Sequence, residues 1–450
     1  MSTIVTGRRV LLPHTSEPRP ATITIGPSGQ ITSVEEGWRI RDRTSPHAKW
    51  VDAHDYIVIP GLVDAHVHLN EPGRTDWEGF WTGTRAAASG GVTCVVDMPL
   101  NSIPPTCSVA NLELKRAAAS GQCFTDVALW GGVIPGNRVH LKPLVDAGVK
   151  GFKCFLIDSG VEEFPCVSEA EAQAAMETLQ DLPTVLLFHA EFDSSTPQLT
   201  QLSTSYNAFL ESRPQRLETD AITLIIKLQR LCPSLRCHIV HLSAASALPL
   251  IRAAKSSGLR LTVETCFHYL CLSADDIPSA RPEFKCCPPI RESDNRELLW
   301  EALLDGTIDC IVSDHSPCIT ELKKMDEGDI MGAWGGISTL GLGLSLLWTE
   351  GSKRGVSLAR ILEWTSMKTA EHARLNDRKG QLKVGFDGDF VIWDPNVEFT
   401  VTEEALQFKN KLSPYVGMKL RGQVKQTYVR GSLVYDHDAG FENAPSGCLL

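Results

Sequence analysis

A chain of 450 residues, 43% hydrophobic and 22% charged, has the composition of a soluble globular protein and is long enough for one large domain plus an accessory one. Its formal net charge of −11 excludes the global basic field that would bind nucleic acid or an anionic membrane. No apolar run approaches the ~20 residues of a membrane helix, and the N-terminus lacks a signal-peptide core, so an intracellular, cytoplasmic protein is expected, with peroxisome and mitochondrion left open. Fourteen cysteines without a secretory signal and without a CxxC pair read as reduced thiols rather than disulfides or a cysteine zinc site.

The first 56 residues read as short strands, Val10–Leu12, Ala21–Ile25, Ile31–Val34 and Trp50–Val51, punctuated by Pro and Gly. Eight apolar runs follow: Val58–His68, Val92–Met98, Asp126–Val133, Gly148–Leu156, Thr184–Glu191, Cys237–Leu242, Leu259–Thr265 and Thr307–Ser313. Helical patterns separate many of them, at Val109–Ala119, Glu169–Leu179, Thr219–Leu231, Ala245–Ser256 and Asn295–Leu304. Strands alternating with helices imply a parallel sheet, and eight repeats suit a closed (β/α)8 barrel over 57–372. Beyond 372 the strand-and-turn texture returns, with an apolar strand ending near Pro395 and two more at Val424–Val429 and Leu433–Tyr435. The expected architecture is therefore α/β: a barrel beside a small β-sandwich domain built from both chain ends, 1–56 and 373–450.

Barrels of this kind carry their chemistry at the C-terminal ends of the strands. The first predicted strand ends in His66 and His68, two apart and hence on one face. Lys153 lies inside the fourth, His189 ends the fifth, His241 the sixth and Asp314 the eighth. Six residues able to serve a metal, gathered at five strand ends, are a far more specific signal than one His-x-His. His238, three before His241, falls on the opposite strand face and reads as structural; His315 turns away from Asp314 by the same rule. Glu191 lies past its strand end, where it could be solvated. His268 could line the site or pack. His14, His47, His54, His140, His372 and His437 have no such context.

Lys153 admits two readings. It could be a pore lysine paired with Asp314 or another carboxylate, since an unpartnered ammonium in an apolar strand is costly. Alternatively CO2 converts it to a carbamate (N6-carboxylysine), an anion with two oxygens able to bridge two cations. Two divalent metal ions held by His66, His68, His189, His241, the Lys153 carbamate and Asp314 then form a binuclear hydrolytic site. Zinc is the expected metal, although manganese, cobalt and iron suit the same donors.

The pattern resembles the cyclic-amide branch of the amidohydrolase superfamily, the branch of allantoinases, dihydroorotases and dihydropyrimidinases. The likeness rests on His66-x-His68, Gly151-Phe-Lys153, Phe188-His-Ala-Glu191, Ile239-Val-His-Leu-Ser243, Lys285-Cys-Cys-Pro-Pro-Ile-Arg291, Ser313-Asp-His-Ser316 and Lys379-Gly…Gly385-x-Asp-Gly-Asp389, and covers nearly the whole chain. It implies that the six residues bind the metal pair, that the lysine is carboxylated, and that Asp314 is the catalytic residue that moves the proton. Where dihydroorotases carry an arginine for the substrate carboxylate, this chain has Asn70, which cannot make that charged bidentate contact. The segments Asn70–Gly79 and Asp97–Ser102 are similar to the allantoinase version, which implies opening of the hydantoin ring of allantoin to allantoate. Asn101 and the backbone near Cys287 are the expected substrate contacts; no base is paired with the Cys287 thiol to make it a nucleophile. A dihydropyrimidinase or hydantoinase is the alternative enzyme, and a scaffold relative that has lost its ligands the alternative class. The resemblance further implies a homo-oligomer, a tetramer, and no nucleic-acid or membrane partner. The glycine-dense loop 326–336 reads equally as a mobile cover or a static connection.

Overall fold

The computed structural model describes residues 1–41, 48–192, 202–441 and 444–450; His47 lies outside them. Two parallel sheets, of six and three strands, carry the barrel. In chain order its staves are Leu62–Val67, Val92–Asp97, Asp126–Leu129 continued by Gly131–Gly132, Phe152–Phe155, Val185–His189, Arg236–Ile239, Leu261–Cys266 and Cys310–Val312. The third stave is cut in two at Trp130, whose N–H donates to Asp97 O at 3.0 Å while its indole reaches across the barrel to Ala65 O at 2.8 Å. The ring closes between the last stave and the first through a parallel Val67–His315 bridge and a bond from His68 N to His315 O of 2.8 Å.

The predicted strand Val58–His68 is divided at Gly61. Ile57–Pro60 pairs antiparallel with Phe390–Trp393 in the sheet of the chain ends, and only Leu62–Val67 enters the barrel. Gly61 makes the crossing: its N–H donates to Asp389 O, and a Cβ there would sit 2.1 Å from Thr93 Oγ1, so no other residue fits. Both halves are fully buried and equally apolar, which is why periodicity alone reads them as one run.

Among the described residues the chain ends build one continuous nine-stranded sheet. It runs Gly440–Phe441, Ser432–Asp436, Lys419–Val429, Phe390–Thr400, Ile57–Pro60, Thr3–Val10, Arg19–Ile25, Ile31–Glu36, with Lys49–Asp52 beside Thr3–Val10. Val5, Val10, Ile23, Ile25, Val58, Phe390 and Ile392 make its separate core. The first strand starts at Thr3, earlier than expected, because a register shift between Gly7 and Val10 turns Arg8 and Arg9 outward and breaks the hydrophobic pattern.

The helices follow their sequence signals. Val109–Ala119 and Glu169–Leu179 form as predicted, capped by Ser108 and Ser168, the latter in a reciprocal box with Glu171. Arg216–Leu231 buries Leu217, Ala221, Ile222, Ile225 and Leu228, one stripe at helical spacing. At the barrel floor, where Asp126 opens the third stave, Lys379 donates to Asp126 at 2.6 Å and Asp389 at 2.7 Å and pairs with Asp387 at 2.9 Å. Arg430 also binds Asp126. This buried network ties the terminal sheet to the barrel and leaves the opposite rim free.

Candidate active site

The rim gathers the predicted residues. His66, His68, Asn101, Lys153, His189, His241, Cys287 and Asp314 all line one cavity of about 530 Å³. His66 Nε2 lies 3.2 Å and His68 Nε2 3.5 Å from Asp314 Oδ1, and His189 Nδ1 lies 3.0 Å from His241 Nε2. The His66 ring stands between its neighbours, 5.5 Å from His68 and 5.4 Å from His241 by centroids. Residues far apart in sequence thus present their nitrogens and a carboxylate to a shared space.

Backbone conformation aims two of them. His241 and Asp314 lie beyond the ends of their staves, Ile239 and Val312, with φ of 38° and 42°, a left-handed region that costs a non-glycine residue of order 1–3 kcal/mol. Strand alternation therefore does not govern His241. His238, on the regular strand, also faces the barrel interior one layer below, where Thr262 Oγ1 at 2.7 Å and Glu264 Oε2 at 3.1 Å satisfy it and His372 stacks on it at 3.7 Å. It is structural, as expected, although the reason offered from strand faces fails. His315 does turn away, held by Glu78 at 3.0 Å and by the N–H of Thr339 and Leu340.

Glu191 is not solvated. It is wholly buried, 2.7 Å from His189 Nε2 and paired with Arg213. Burial alone would raise its carboxyl, but Arg213 and His189 outweigh that and hold it at about 2. Glu264 is not among the residues expected from the sequence. It is also wholly buried, with Oε1 2.5 Å from His66 Nδ1. The signal was present in Leu261-Thr-Val-Glu-Thr-Cys266, a charge inside a strand, the same anomaly that marked Lys153.

Lys153 is 1% exposed, and burial brings its ammonium down to about 8 against the opposing pull of Asp314 and Glu264. Burial and the nearby Lys153 hold His66 and His241 well below the usual histidine range, so both are neutral and able to donate a lone pair. His66 Nε2 is buried with no hydrogen-bond partner despite its closeness to Asp314. Neutral imidazoles, a carboxylate and a lysine facing one cavity, one nitrogen of it orphaned, fit divalent transition metals by donor chemistry.

The Asn101 amide sits 3.2 Å from His68 Nδ1, so this side chain supports a histidine as well as facing the cavity. His268 is buried against Tyr269 at 4.2 Å and does not line the cavity. Asn70 does not line it either; its amide donates to Pro317 O. The loop Met331–Gly336 forms one wall and is anchored. Lys285 Nζ donates to Met331 O at 2.6 Å and Ala333 O at 2.8 Å, and Lys323 Nζ to Trp334 O at 2.9 Å and to Gly336 O. Trp334 packs edge-on against Trp77 at 4.8 Å. All the cysteines are free thiols.

Residues 57–434 match the amidohydrolase family. The chain belongs to that family. It is 46% identical over 444 residues to an allantoinase of Saccharomyces cerevisiae, covering 96% of this chain and 95% of the relative. It is 54% identical over 340 residues to a mitochondrial allantoinase of Aquarana catesbeiana, covering 75% and 69%. Among solved structures, the L-hydantoinase (dihydropyrimidinase) of Arthrobacter aurescens superposes with a TM-score of 0.92 at 28% identity, over 99% of this chain and 98% of that one. As an amidohydrolase with this fold, the chain is a (β/α)8-barrel hydrolase. No helix among the described residues is long and apolar enough to cross a membrane.

Proposed function

We propose that this chain hydrolyses the hydantoin ring of allantoin to allantoate. The observation that carries the reading is the 46% identity, over nearly the full length of both chains, to an enzyme named allantoinase. The hydantoinase whose fold matches so closely shares only 28%. Asn70 speaks separately against a dihydroorotase, because it brings no cation to the cavity for a carboxylate substrate.

His66, His68 and Asp314 would hold one divalent cation, His189 and His241 a second, and Lys153, carboxylated by CO2, would serve both. When bound, the cations supply an activated water and polarise the ring carbonyl. Asp314 borders the cavity beside His66 and His68, where it takes the proton of that water and returns it to the departing ring nitrogen, base first and acid second. Asn101 and the backbone at Cys287 meet the polar edges of the ring from the cavity wall. The loop Met331–Gly336 supplies one wall of the same cavity, held by Lys285. Zinc is the first choice of metal. A cytoplasmic homotetramer completes the reading, with mass in solution by light scattering as its check.

Turnover of allantoin against dihydrouracil tests the substrate. The expected result is a large preference for allantoin in kcat/KM. The hydantoinase reading, favoured by the TM-score of 0.92, predicts the reverse preference.

A further inference from the structure

Each of two rim histidines has one ring nitrogen claimed by a wholly buried glutamate, and the nitrogen claimed differs. Glu264 takes Nδ1 of His66 at 2.5 Å, which leaves Nε2 for the cavity. Glu191 takes Nε2 of His189 at 2.7 Å, which leaves Nδ1 on the cavity side, 3.0 Å from His241 Nε2. A neutral imidazole carries one proton, so the nitrogen that donates to an oxygen cannot also offer a lone pair. Neither glutamate is free to move. The second oxygen of Glu264 lies 3.1 Å from His238 Nε2, and His238 is itself fixed by Thr262. Glu191 is pinned by Arg213, the residue that caps the C-terminus of the helix Tyr206–Ser212.

We infer that Glu264 and Glu191 are positioning residues that sort the ligand nitrogens, Glu264 for the cation held by His66 and Glu191 for the cation held by His189. The inference rests on the paired-cation reading above. Each glutamate, when ionised, accepts from the ring nitrogen it faces and so directs the other lone pair of that ring toward the cavity without a ring flip. The division of labour is spatial. Glu264 lies on the seventh stave and reaches His66 on the first and His238 on the sixth, whereas Glu191 lies past the end of the fifth, so damage to one leaves the other in place. A glutamine at either position presents both an acceptor and a donor and no longer enforces one tautomer.

The full chain, stripped of metal by chelator and titrated with Co2+ in bicarbonate buffer, reads this directly. Wild type is expected to take up two equivalents. Glu264→Gln should weaken one equivalent by roughly 10–100-fold and leave the other intact, and Glu191→Gln should do the same to the remaining one. The double substitution should weaken both. Variants that bind both equivalents like wild type, or single substitutions that weaken both equally, would overturn the inference. A second readout needs no variant. In the metal-free wild-type chain labelled with 15N-histidine, the proton should sit on Nδ1 of His66 and on Nε2 of His189, and the opposite tautomers would refute the sorting. A wild-type chain that takes up no cation would instead defeat the functional reading on which this rests.

Discussion

The two ends of the barrel carry buried polar clusters of similar density and opposite character. At the floor, oxygens of Asp126, Asp387 and Asp389 approach within 4.8 Å of one another, as closely as the ligand atoms of His66, His68 and Asp314 do at the rim. Proximity alone would call both metal sites. At the floor, however, Lys379 sits among the three acids and Arg430 binds Asp126, so the cationic partner is already built into the chain. At the rim, His66 Nε2 is buried 3.2 Å from Asp314 Oδ1 and still has no hydrogen-bond partner. A satisfied cluster holds structure together; an unsatisfied one, kept so by surrounding bonds, is where a ligand belongs.

The contrast can be broken at either end. Asp314→Asn should cost about 10²–10⁴-fold in kcat with little change in melting temperature, because it removes a proton carrier and no packing. A fall of less than tenfold would remove Asp314 from the reaction. Lys379→Met should reverse that pattern, destabilising the chain by about 3–5 kcal/mol in denaturant melts by leaving three buried acids without their cation. Full stability after this change would mean that the floor is not held by charge.

Smaller effects sharpen the picture. Lys323→Met removes the ammonium that gathers Trp334 O and Gly336 O and leaves those carbonyls unpaired, at a cost of about 1–3 kcal/mol. Because Trp334 and Gly336 line the cavity, KM should rise more than kcat falls. Equal changes in both would mean that the loop does not shape substrate binding. Cys287→Ser should be mildest, within a few-fold of wild type in kcat, since no base accompanies the thiol. Complete loss of turnover in that variant would restore the thiol as a nucleophile.

Much of the rim was legible because it obeys simple rules. His66 and His68 share a face by strand period, and Lys153 stands out because an ammonium in an apolar strand demands an explanation. What stayed hidden depends on conformations that sequence does not announce. His241 and Asp314 are aimed by positive φ at residues that are not glycine. Glu191 reads as solvated until Arg213, 22 residues later and just past the helix Tyr206–Ser212, pairs with it. Glu264 stands out only as a charge inside an apolar strand, and its partners His66 and His238 come from two other staves. The crossing at Gly61 was masked for a different reason. Burial on both sides makes the strand of the terminal sheet and the strand of the barrel equally apolar, and only the pairing partner distinguishes them.

The most direct measurement of the central claim follows allantoin turnover and bound metal in one sample through chelation and reconstitution. The account predicts that two equivalents of divalent cation per chain leave together with activity, and that both return when metal and bicarbonate are restored. Undiminished turnover in chains shown by elemental analysis to hold no metal would contradict it.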